Sequence, residues 1–231
     1  LKAGVSFYRS LQPFCMGTIY WQLNDCWPVT SWAAIDGGER LKPLWYASRK
    51  FFADRVLIFQ PTDGEIALLA NNDSDRRWTG TLTLRRLNFA GQTLAVRKLK
   101  LNVPPRTNKR LLKLPKAFHA EDAAGEMLVA QAGTVRETWF FTADKNLAYP
   151  APRFGAKLAR RGRIHRLTVT AETLLRDLCL FVDRLDADAE ANDQIVTLLP
   201  GESFTFEFRS ARKLSAEQLT APPVMQCANR F

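Results

Sequence analysis

Gly17-Thr18-Ile19-Tyr20-Trp21-Gln22-Leu23-Asn24-Asp25-Cys26-Trp27-Pro28 runs from an apolar, partly β-branched half into a cluster of Trp, Asn and Asp, and stops at a proline. Residues 18–23 read as a buried strand, because Ile19, Tyr20 and Leu23 favour pleated packing and no turn former interrupts them. The polar, aromatic and turn-forming residues that follow are those expected where a strand leaves a core for a binding surface. Four of the six tryptophans (Trp21, Trp27, Trp32 and Trp45) fall within 25 positions. Flat aromatic faces beside carboxylate and amide groups suit a sugar, which offers an apolar C–H face and a rim of hydroxyls. A tryptophan-rich core corner is the other reading of the same composition, and composition alone leaves both open.

Beyond this stretch the chain is rich in strands. A helix is expected over 43–53, with Pro43 in its first turn and Leu44, Ala47, Phe51 and Phe52 apolar. Strand-like segments follow at 56–60, 65–71, 78–86, 93–101, 109–114, 126–132 and 134–142. Alternation is clearest in Thr81-Leu82-Thr83-Leu84 and in Thr138-Trp139-Phe140-Phe141. Short strands separated by Asp-Gly, Asn-Asp-Ser-Asp and Pro-Pro turns make a sandwich pattern. Residues 144–152, with two prolines and an asparagine, read as a linker. A second set of strands is expected at about 154–159, 163–170, 174–183, 193–199, 203–209 and 224–228, with Gly201-Glu202 as a tight turn.

The run GTIYWQLNDCWPVTSWAAIDGGERLKPLWYASRKFF resembles the last strand and last helix of the catalytic barrel in β-mannosidases of glycoside hydrolase family 2. The likeness rests on Trp21 to Asp25, Trp27-Pro28, Ser31-Trp32, Ile35-Asp36, and Lys42-Pro43 with Tyr46. It covers residues 1 to about 52; beyond them it lies mostly in layout, with Leu199-Pro200-Gly201-Glu202 as the best further match. A (β/α)8 barrel needs roughly 250 residues, more than the 231 here. Phe7-Tyr8-Arg9-Ser10-Leu11 has helical spacing, with no methionine or signal peptide before it. The expectation is therefore the C-terminal portion of a longer polypeptide. Residues 1–53 would be the end of the barrel, and 54–143 and 153–231 would be immunoglobulin-like β-sandwiches joined by the linker 144–152.

In such an enzyme the resemblance implies that the acid/base and the nucleophile are glutamates on the fourth and seventh barrel strands, upstream of residue 1. Retaining glycosidases need two carboxyl groups about 5 Å apart. Asp25 and Asp36 are read instead as braces of a loop and a turn, so no catalytic residue is assigned within the chain. Trp21, near a strand end, is expected to form a wall of the subsite for the non-reducing sugar. Asn24 and Asp25 are expected to bind hydroxyls or to hold the loop that does, with bracing the preferred role for Asp25. Trp27 before Pro28 is expected to stiffen the rim. The expected activity is exo-acting removal of terminal β-D-mannose with retention, from manno-oligosaccharides or glycans. Other family 2 activities (β-galactosidase, β-glucuronidase, exo-glucosaminidase) are alternatives, as is a non-catalytic module for carbohydrate or polyanion.

The chain carries 33 Lys and Arg against 23 Asp and Glu. Arg97-Lys98-x-Lys100 and the run Lys157, Arg160, Arg161, Arg163, Arg166 are locally basic. Basic residues alternating along a strand usually form its solvated face, and no nucleic-acid motif accompanies them, so no nucleic-acid partner is expected. Cys15 and Cys26 bracket an extended segment that would hold them more than ~20 Å apart, too far to bridge. Cys179 and Cys227 are left open between a disulfide and free thiols. His119 and His165 have no Cys or His at ligand spacing, so neither a metal nor a cofactor is expected. No run approaches the ~20 apolar residues of a membrane span, so a soluble segment is expected. The compartment stays open, since a targeting region would precede residue 1.

Overall fold

The computed structural model describes residues 1–62 and 64–230. It is mainly β, built from small antiparallel sheets. Two compact units form: residues 1–23, 48–88 and 92–148 make the first, and 24–47, 89–91 and 149–231 the second. Residues 24–47 thus cluster with the C-terminal strands.

In the first unit β1 (Arg55–Thr62), β2 (Glu65–Asn72) and β5 (Thr107–Lys113) form one sheet, in the order β1-β2-β5. The second sheet has the order β4-β3-β6-β7 and is built from β3 (Trp78–Asn88), β4 (Thr93–Val103), β6 (Glu126–Ala132) and β7 (Val135–Phe140). Strands of period two send Leu57 and Leu68 from one sheet, and Leu82, Leu84 and Leu128 from the other, into a single core. The β6–β7 hairpin turns on Gly133-Thr134, with Gly133 at φ 61°. A side chain there would be strained, and Gly-x is the pair a type II′ turn requires. The Asp63-Gly64 turn expected between β1 and β2 includes Asp63, which lies outside the described residues.

The outer side of the β1–β2 pair is covered by α1 (Lys2–Ser10), an amphipathic helix with Val5 buried. Its last turn is clamped by Arg9. The guanidinium donates to the carbonyls of Phe51 and Ala53, to Asn71 Oδ1 (2.7 Å) and to Asp73 Oδ2 (2.7 Å). A buried cation with this many acceptors is satisfied on every side.

The second unit holds β8 (Phe154–Arg161), β9 (Ile164–Ala171) and β12 (Ser203–Arg209), in the order β12-β9-β8. A smaller sheet, β11-β10-β13, joins β10 (Leu175–Leu180), β11 (Val196–Leu198) and β13 (Met225–Gln226). Leu167, Phe206 and Phe208 meet Leu178, Leu180 and Met225 in the shared core. Gly201, at φ 84°, makes the expected turn before β12, and the Glu202 N–H donates to the Leu199 carbonyl at 2.9 Å. All four cysteines are free thiols, and burial pushes the Cys227 thiol up from its ordinary value.

The helix expected at 43–53 is α2 (Pro43–Phe51). The strand expected at 18–23 is not formed: residues 15–20 carry no regular structure, and Ile19 is 97% exposed and Leu23 55%. The reason is physical. A buried parallel strand needs neighbours on both edges to satisfy its N–H and C=O groups. Among the described residues, pairing begins just past this segment, at the isolated parallel bridge of Asn24 to Ile35. Tyr20 instead stacks on Phe52, with ring centroids 6.2 Å apart.

Candidate functional site

Residues 24–42 fold back on themselves. The Asp25 N–H donates to the Ile35 carbonyl (3.0 Å), and the Lys42 N–H to the Ala34 carbonyl (2.9 Å). Ile35 also bridges antiparallel to Leu41. At the tip, Asp36 Oδ1 accepts from the Gly38 and Arg40 backbone N–H groups at 2.8 and 2.9 Å, and Oδ2 accepts from Arg40 Nε at 2.8 Å. The Arg40 backbone N–H, aided by Gly38 and the guanidinium, holds the Asp36 carboxyl below its ordinary value against a smaller opposing effect of burial. Asp36 is a turn brace, as its place beside Gly37-Gly38 suggested.

Asp25 sits beneath this loop, 5% exposed. Ser31 Oγ lies 2.7 and 2.8 Å from its two carboxylate oxygens, and Lys42 Nζ donates to Oδ2 at 3.0 Å. Ser31 Oγ in turn accepts from the Ala33 N–H at 3.0 Å. The carboxylate is thus directed inward, tying the start of the loop to its middle and its end. In sequence Ser31 and Lys42 stand only as motif positions. Their fixed spacing from Asp25 was the available signal, but nothing in a linear sequence tells which of several polar residues closes on a buried carboxylate. Tyr46, almost fully buried on α2, donates its hydroxyl to the Ala191 carbonyl at 2.9 Å and anchors the helix start in the same unit.

Trp27 and Trp32, on the braced loop, face outward. Trp27 is 64% exposed and Trp32 69%, while Asn24, also exposed, donates Nδ2 to the Asp25 carbonyl at 3.3 Å. Trp21, in the first unit, is 76% exposed and follows Tyr20 by a trans link and precedes Gln22 by a cis one. It fills no core of this chain. Gly37 approaches the Trp27-Pro28 backbone so closely that a Cβ there would lie 2.4 Å from the Trp27 carbonyl carbon. Gly37→Ala is therefore expected to loosen the loop by about 1–3 kcal/mol through overpacking. The readout is faster amide exchange at Asp25 and Lys42; unchanged exchange would show that the Trp27-Pro28 backbone yields without cost.

Chemically, the segment offers indole faces, an amide and a rigid scaffold. The carboxylates of Asp25 and Asp36 are both engaged in bracing. Among the described residues no three His, Cys, Asp or Glu side chains gather where they could hold a metal ion, and no helix is long and apolar enough to cross a membrane.

No protein-family model matches the chain. Curated β-mannosidases do resemble it: that of Mus musculus is 27% identical over 141 residues, which is 58% of this chain and 15% of the relative. β-Mannosidase A of Aspergillus flavus is 32% identical over 99 residues, 40% of this chain and 11% of the relative. Among solved structures, the β-D-mannosidase of Dictyoglomus thermophilum superposes with a TM-score of 0.78 over 92% of this chain and 26% of that one, at 21% identity. The exo-chitosanase of Amycolatopsis orientalis matches 99% of this chain and 32% of that one, with a TM-score of 0.62 and 16% identity. The chain is distantly similar to the C-terminal region of family 2 β-mannosidases and related family 2 glycosidases, and it spans a small part of their length.

Proposed function

We propose that this chain is the C-terminal portion of an exo-acting, retaining β-mannosidase. Residues 1–53 complete its catalytic barrel, and the strands that follow form immunoglobulin-like sandwiches. Both catalytic glutamates lie in the remainder of the polypeptide, which is also the partner that covers the apolar stretch before Trp32. The reading is carried by the likeness to curated β-mannosidases. It is supported by each unit taken by itself: in the first Trp21 is exposed, and in the second Trp27 is exposed while the Asp25–Ser31–Lys42 brace holds the backbone between Asn24 and Lys42. In this reading Trp21 forms a wall of the terminal mannose subsite, Asn24 and Trp27 shape its rim, and Asp25 acts through the loop it braces.

The test is Trp21→Ala in the complete enzyme. In the proposed role the ring walls an open subsite and packs into no core, so the melting temperature is expected to stay nearly unchanged. Loss of a stacking face should lower kcat/KM on a nitrophenyl β-mannoside by about tenfold or more, about 1.4 kcal/mol. Unchanged kinetics, or a folding loss with no separate kinetic defect, would remove Trp21 from the site. Preferential turnover of a β-glucosaminide or β-galactoside in the same panel would replace mannose with that sugar.

A further inference from the structure

The sheet β12-β9-β8 has one face in the core and one in solvent, and the glycosidase reading makes no use of the second. Phe154, Phe204, Phe206 and Phe208 all turn toward the core. The register therefore sets the other residues out in rows across the open face: Lys157 beside Thr168 beside Thr205, and two rows further on Arg161 beside Ile164 beside Arg209. Hydroxyls pair across the strands, Thr168 with Thr205 at 2.9 Å and Thr170 with Ser203 at 2.8 Å. Along β8 the small residues Gly155 and Ala159 alternate with the cations, and the row at Ala159 continues into Arg166 and Glu207.

This face carries four cations, Lys157, Arg161, Arg166 and Arg209, against one acid, Glu207. Residues 151–171 hold six Lys and Arg and no Asp or Glu. Arg166 pairs with Glu207 at 2.7 Å. Lys157, Arg161, Arg163 and Arg209 are exposed, and no ion pair engages them among the described residues. The hairpin turn at Gly162-Arg163, with Gly162 at φ 61°, holds Arg163 at the tip beside Arg161.

We propose that this face binds an anionic polysaccharide. Arginine forks match carboxylate and sulfate groups with paired hydrogen bonds, and Ser and Thr hydroxyls donate to and accept from sugar hydroxyls. Lys157 and Arg161 are about 13 Å apart along the strand, a span that calls for a polymer with repeated charges rather than one small anion. A nucleic acid fits less well. Every aromatic ring of the sheet is turned inward, leaving none on which bases could stack, and the flat face projects no helix or ribbon into a groove.

Titration of the 231-residue chain with labelled polygalacturonate oligosaccharides tests this, with neutral manno-oligosaccharides and single-stranded DNA of equal charge as comparisons. Binding to polygalacturonate is expected and should weaken steeply as salt rises from about 50 to about 200 mM. Arg161→Gln/Arg209→Gln should weaken it about tenfold or more, whereas Lys98→Gln/Lys100→Gln on β4 should leave it unchanged. Amide shifts on titration should centre on Thr168, Thr170 and Thr205. The proposal is overturned by absence of binding at low salt, by equal losses in the two variants, by equal binding of the neutral sugar, or by tighter binding of DNA. It does not depend on the enzymatic reading, which these measurements leave untouched.

Discussion

Lys42→Met should destabilise the 24–42 loop far more than Asp25→Asn, although the two substitutions break the same ion pair. The asymmetry follows from where each partner sits. The Asp25 side chain is fully buried, whereas Lys42 keeps a quarter of its side chain in solvent. Removing the lysine takes the cation from a fully buried carboxylate, which costs about 3–5 kcal/mol. Removing the aspartate's charge lets Lys42 turn to solvent, while an asparagine oxygen still accepts from Ser31. That loss is closer to about 1–2 kcal/mol. The double variant should be less damaged than Lys42→Met alone, since it no longer buries a carboxylate whose cation is gone. Amide exchange at Asp25, whose N–H is bonded to the Ile35 carbonyl, reads the loop directly. Equal losses in the two single variants would mean that the carboxylate is not sealed from water, and the brace would then have to be assigned elsewhere.

The brace also shows where the sequence stops being informative. Strands were legible because period-two patterning is a local property: β6, expected at 126–132, spans Glu126–Ala132, and β12, expected at 203–209, spans Ser203–Arg209. Their partners lie within the chain, so local preference and tertiary pairing agree. Residues 18–23 carry an equally good pattern and form no strand, because a pattern states which face would be buried and cannot supply the neighbour that buries it. In sequence Asp25 carries two roles, binding hydroxyls or holding the loop, and in the structure its carboxylate accepts from Ser31 and Lys42. Ser31 and Lys42 as its partners were not legible, because the contact depends on how the loop closes through the Asn24–Ile35 bridge. The close approach of Gly37 to Trp27 was hidden for the same reason: a glycine that permits backbone contact looks, in sequence, like any turn glycine.

The exposed apolar stretch leads to the second large effect, which appears in hydrogen exchange. Phe14, Met16, Ile19, Trp21 and Leu23 are all more than half exposed, within ten residues of one another. Burying each such side chain is worth roughly 1.5–3 kcal/mol, so a chain that leaves them wet holds this backbone weakly. In the 231-residue chain, amides of 17–23 should exchange within about tenfold of unfolded rates. Those of Leu128–Ala130 in β6, and of Leu167 and Val169 in β9, lie in paired strands with fully buried side chains. They should exchange at least about a thousandfold more slowly, as expected for cores that open only on global unfolding. If the proposed barrel supplies the missing neighbours, the same 17–23 amides should become protected in the complete enzyme. The isolated chain should meanwhile hydrolyse no nitrophenyl β-mannoside. Strong protection of 17–23 in the isolated chain would show that the segment needs no partner. Turnover by it would place the two catalytic carboxylates within these residues and overturn the proposed division of labour.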